Sequence, residues 1–76
     1  MKKGIYQHYK GNYYRVIDIA HHSETMEELV AYRALYDNPM GRNALFVRPK
    51  VMFLEDVIVN GNKIPRFKYV GNKMPV

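Results

Sequence analysis

The stretch Ser23-Glu24-Thr25-Met26-Glu27-Glu28-Leu29-Val30-Ala31-Tyr32-Arg33-Ala34-Leu35-Tyr36-Asp37 decides the fold, because it can be read as a helix or as a turn and a strand. Thr25-Met26-Glu27-Glu28 has the form of a capping box, and Met26, Leu29 and Val30 have helical spacing. A helix through Leu35 would, however, place Arg33 on its apolar stripe. Val30, Tyr32, Ala34 and Tyr36 instead alternate as a half-buried strand does. The reading adopted is a polar turn at Ser23–Glu28 followed by a strand at Leu29–Tyr36.

Strands on both sides agree with that choice. Glycine and proline divide the 76 residues into short pieces, which suits strands better than helices. Ile5–Tyr9 and Tyr13–His21 read as strands joined by a turn at Lys10-Gly11-Asn12. Asp18 shares a parity with Tyr14, Val16 and Ala20, so a β-bulge is expected near it. Asp37–Asn43 reads as a loop. Ala44–Arg48 reads as a strand with Leu45 and Val47 inward and Arg48 on the outer parity, ended by Pro49. Lys50–Asp56 allows one helical turn presenting Met52 and Phe53. Val57–Val59 is a strand, and Asn60-Gly61 is a strong hairpin signal. Pro65–Val70 completes the set, with Pro65, Phe67 and Tyr69 on one side and Arg66 and Lys68 on the other. The expected fold is mainly β, a small five- to six-stranded SH3-like barrel with one short helical turn. Barrel closure would remove exposed edges and bring the first and last strands together.

Length allows a single domain, residues 1–76, with an ordered core over about 4–70 and a frayed tail at 71–76. Its total stability is expected at about 4–11 kcal/mol. There is no cysteine, hence no disulfide and no thiolate. No apolar run approaches a membrane span, and none follows Met1-Lys2-Lys3, so a cytoplasmic protein without a membrane is expected. The net charge of +5 is unevenly spread. Residues 1–17 and 57–76 hold bases and no acid, whereas residues 18–56 hold all seven acids against four bases. Paired chain ends would therefore gather Lys10, Arg15, Arg66 and Lys68 into a basic face. Such a face serves solubility, or supplies phosphate contacts to a nucleic acid. Tyr6, Tyr9, Tyr13, Tyr14, Phe67 and Tyr69 would then offer stacking surfaces or line a peptide groove, unless the core consumes them.

Catalytic signatures are few. Ser23 is the only serine and Thr25 the only threonine. Neither sits in a nucleophile elbow, and no phosphate-binding glycine loop occurs. His22 and Glu24 are two apart and would share a strand face, with His8 or His21 able to join them around a metal. That spacing lacks the helical pairing of zinc enzymes, and no metal or cofactor is assigned. Arg48, before Pro49, suits bidentate capture of a carboxylate or phosphate, or a pairing with Glu55 or Asp56.

Five motifs together resemble a family of small bacterial domains known only as a domain of unknown function. They are His8-Tyr9-Lys10-Gly11-x-x-Tyr14, His22-Ser23-Glu24-Thr25-x-Glu27, Val30-x-Tyr32-Arg33-Ala34-Leu35-Tyr36, Val47-Arg48-Pro49-x-x-Met52-Phe53 and Pro65-Arg66-Phe67. The loop Asp37–Asn43 is longer than the family pattern, and His21 replaces another polar residue. The resemblance implies a compact domain and carries no catalytic role. Its polar positions make His8, Tyr14, His22, Glu24, Tyr32, Arg33 and Arg48 the candidate binding residues. His22-Ser23-Glu24-Thr25 can equally be a turn-building unit. The expected function is a non-enzymatic binding module. A nucleic-acid-binding β-barrel and a His/Glu metal-dependent enzyme are the alternatives, and the oligomeric state is left open.

Overall fold

The computed structural model describes residues 1–75. Its elements are β1 (Gly4–His8), β2 (Tyr13–His21), β3 (Glu28–Ala34), β4 (Leu45–Pro49), α1 (Lys50–Phe53), β5 (Asp56–Val59), β6 (Asn62–Pro65) and β7 (Phe67–Gly71). The deciding stretch is a turn and a strand. Met26 takes a left-handed φ of 63°, which ends any helix before it starts. Val30, Tyr32 and Ala34 are then buried on alternate positions of β3. The strand stops at Ala34, two residues earlier than expected.

β1, β2, β3, β4 and β7 form one antiparallel sheet in the order β4-β3-β2-β1-β7, and β5 and β6 form a separate hairpin. Tyr6 pairs with Tyr69, so the first and last strands do lie side by side. The SH3-like barrel is not formed. β4 and β7 are the two edges of the large sheet and do not pair with each other. Phe53 of α1 covers the core-facing side of the sheet instead. It is 1% exposed, edge-on to Tyr6 and Tyr32 and stacked on Phe67. Tyr6, Val16, Val30 and Tyr32 complete that core, with Tyr14, Ile19, Phe46 and Tyr69 packed at its margin.

Local chemistry sets the register. Asn60 and Gly61 both have positive φ (51° and 79°), the requirement of a type I′ hairpin turn. The bulge lies where expected, as a register shift between Val16 and Asp18. It returns Ile19 to the core face opposite Val30.

Two further expectations change. The strand Pro65–Val70 is split at Arg66, whose N–H donates to Glu55 O while its own carbonyl accepts from Tyr9 N–H. The chain thereby crosses from the hairpin to the large sheet. In β4 the parity is inverted: Leu45 and Val47 are 54% and 59% exposed, and Phe46 and Arg48 take the core face. Leu45, Phe46 and Val47 are all apolar, so alternation alone does not fix a side. Asn43 does, at φ 65° with its N–H donating to Ala34 O. Phe46 thereby enters opposite Tyr32. Gly71, placed in the frayed tail by the sequence, pairs with Ile5, and Val76 lies outside the described residues. Among the described residues, no helix is long and apolar enough to cross a membrane.

Candidate functional site

The seven candidate residues separate into three places. His22 and Glu24 occupy the β2–β3 turn, where His22 Nδ1 accepts from the N–H groups of Glu24 (3.2 Å) and Thr25 (3.4 Å). Thr25 Oγ1 accepts from Glu27 N–H, and Ser23 Oγ donates to the Glu24 carboxylate. This is the turn-building reading of the motif. His8 lies beyond the opposite end of β2, nine residues long and spanning about 26 Å. The His8–His22–Glu24 metal grouping is therefore not assembled, and no cluster of three potential ligands occurs among the described residues. Arg33 is on the outer face of the sheet, directly across from Arg15, and donates to Asn43 O.

His8, Tyr14, Tyr32 and Arg48 do converge, around Phe67 on the core-facing side of the sheet. The pairings His8 with Phe67, Tyr6 with Tyr14 and Val30 with Arg48 carry them there from β1, β2, β3 and β4. Phe67 is the platform: His8 lies edge-on to it at 5.0 Å, Tyr14 at 5.5 Å and Tyr32 at 5.8 Å. The Arg48 guanidinium carbon is 5.5 Å from the same ring centroid. Tyr36 completes the group through a 2.8 Å hydroxyl–hydroxyl bond to Tyr14. Sequence reasoning did not single out Tyr36 as a site residue, and named Phe67 only as a stacking surface beside Arg66 and Lys68. Their parity with Tyr32 and Tyr69 was the available signal.

The electrostatics of the cluster follow from its walls. Burial lowers the His8 pKa, and the charges of Arg48, Arg66 and Lys10 lower it further. Its Nδ1 accepts from Lys10 N–H at 3.1 Å, so the neutral ring carries its proton on Nε2. Burial, then the Tyr36 hydrogen bond, push the Tyr14 hydroxyl well above the ordinary phenol range. Nearby acids are engaged elsewhere: Glu55 with Arg66, Asp56 with Lys63 and Glu28 with Lys50. Among the described residues Arg48 has no carboxylate partner, contrary to its expected pairing with Glu55 or Asp56. A cleft of about 440 Å³, lined by Gln7, His8, Tyr9, Ile64, Pro65 and Lys68, opens beside the cluster and shares His8 with it.

The basic face divides as well. Arg15 and Lys68 share the outer face, opposite Ile5 and Gln7 of β1. Lys10 stands over Tyr9 in the β1–β2 turn, and Arg66 is held by Glu55 at 2.8 Å. Pairing of the chain ends has occurred, but it does not align these four cations.

The fold is similar to the crystal structure of a protein from Bordetella bronchiseptica assigned to a family of unknown function. The two are 34% identical, with a TM-score of 0.90 over 100% of this chain and 95% of that one. No curated protein matches the chain. Residues 4–69 match the family described as "Protein of unknown function (DUF1653)", and the chain belongs to that family.

Proposed function

We propose that this domain is a non-enzymatic module that binds a small anionic ligand, with Arg48 as the anchor. The observation that carries this reading is the Arg48 guanidinium itself. It lies half-buried over Phe67, with no carboxylate among the described residues to neutralise it and neutral aromatic groups around it. A cation partly removed from water without a counter-charge is unfavourable, and a bound anion offsets that. A carboxylate or phosphate oxygen matches the guanidinium fork. The free Nε2–H of His8 and the Tyr14–Tyr36 hydroxyl pair supply further polar contacts. The aromatic walls suit a flat group attached to the anion. The hydroxyls of Ser23 and Thr25 are committed to the β2–β3 turn, which favours binding over nucleophilic chemistry.

The test is thermal unfolding of the pure protein with inorganic phosphate, benzoate and a nucleoside monophosphate. At least one anion should raise the midpoint progressively with concentration. Arg48→Met, which keeps the aliphatic stem over Phe67, should abolish that rise while the free protein stays folded. Equal shifts in wild type and variant, or none with any anion, would overturn the reading. The phosphate and benzoate arms separate the two anion chemistries.

A further inference from the structure

β4 is an edge strand of the large sheet and is open to pairing at Leu45 and Val47. Ala34 N–H donates to Ala44 O, and Asn43 N–H to Ala34 O, both at 3.0 Å. Antiparallel alternation from that point turns the backbone groups of Phe46 and Arg48 toward β3. Those of Leu45, Val47 and Pro49 then point to the open edge. The outward side chains there are the well-exposed Leu45 and Val47. Edges of this kind are usually blocked by lysine, proline, a bulge, a very short strand or a covering element. The other edge, β7, carries Lys68 and follows Arg66. β4 has no lysine, its one charged residue faces inward, and its proline, Pro49, stands only at the last position of the strand.

We infer that β4 pairs antiparallel with β4 of a second copy of this chain about a two-fold axis at Val47. The sequence is self-complementary in that register. Val47 meets Val47 of the second copy, Leu45 meets Pro49, and Phe46 meets Arg48. Both Val47 amides gain reciprocal carbonyl acceptors, and both Leu45 amides find the carbonyl of Pro49. Proline has no N–H, so each Leu45 carbonyl stays with water at the end of the ladder. Arg48, the sole charge of the strand, lies across from Phe46 rather than from its own copy, so no like charges meet across the pair. Pairing of the same patch on both partners closes the assembly at two chains. This inference rests on the edge geometry and is independent of the anion-binding reading.

Sedimentation equilibrium of wild type, Val47→Lys and Val70→Lys tests it. Val70 lies on β7 and serves as the control at the opposite edge. Wild type and Val70→Lys should sediment as dimers. Val47→Lys sets two lysines against each other and should weaken dimerisation by at least roughly tenfold, with an unchanged circular dichroism spectrum. The Leu45 and Val47 amides should exchange slowly in the dimer and fast in the variant. Should Val47→Lys fold poorly, Leu45→Lys takes its place. A monomeric wild type at NMR concentrations, or a dimer that survives both β4 substitutions, would overturn the inference.

Discussion

Phe53 lies flat on Phe67, with ring centroids 4.0 Å apart and planes 4° from parallel. One residue belongs to a four-residue helical turn and the other to the last strand of the sheet, and their stack fastens α1 over the core-facing side. Deleting a buried phenylalanine side chain costs about 3–5 kcal/mol. A domain of this size has only about 4–11 kcal/mol in total. Phe53→Ala should therefore lower the urea midpoint sharply and leave a substantial unfolded fraction at rest. A loss below about 1 kcal/mol would show that α1 is a detachable flap rather than the cover of the core.

The legibility of the fold varied with the strength of the local signals. Tyr13–His21 matches β2 end for end, and Asn60-Gly61 makes the expected turn. In both, backbone preference and side-chain pattern agree. β4 was misread because three consecutive apolar residues carry no parity, and Asn43, outside the strand, sets it. The barrel was misread because pairing across distant edges leaves no local trace. Of the candidate site, His8, Tyr14, Tyr32 and Arg48 were legible as chemistry but not as neighbours. Their convergence depends on the registers of β1, β2, β3, β4 and β7 together, including the inverted parity that turns Arg48 inward. His22 and Glu24 carry equally suggestive side chains and lie at the other end of β2.

That placement gives His22 a structural role with a measurable signature. Its ring accepts two backbone N–H groups, and its own backbone is bonded to Glu27 O and to Met26 N–H. His22→Ala should destabilise the domain by about 0.5–1.5 kcal/mol, the usual worth of such bonds. His22→Asn should recover much of the loss, since an asparagine side chain can accept from the same amides. Glu24→Ala, at an exposed side chain, should stay within about 0.5 kcal/mol of wild type. A liganding role would instead make the asparagine and alanine variants equally defective and Glu24 as important as His22. Chemical denaturation of the three variants distinguishes these outcomes.

His8 should couple stability to pH. Its folded pKa is lowered from 6.5 by burial and by the neighbouring cations, and protonating Nδ1 would also break the bond from Lys10 N–H. Above pH 6.5 both folded and unfolded chains carry a neutral His8, and its contribution to stability is fully present. As pH falls below 6.5 the unfolded chain takes up the proton first, so stability falls until pH drops through the lower, folded pKa. The Asp18 carboxyl is also depressed, by its bond from Ile19 N–H and by Lys3, but from 3.8, so its loss comes at distinctly lower pH. Urea midpoints should therefore decline in mild acid for wild type and less so for His8→Phe, which keeps a ring against Phe67. The difference between the two curves isolates His8 from the other histidines. Because Arg48 and His8 share the cluster, neutralising Arg48 as Arg48→Met should raise the folded pKa of His8 and narrow the window. Ring-nitrogen NMR titration reads that movement directly; an unmoved His8 pKa in Arg48→Met would mean that the two residues do not sense each other's charge.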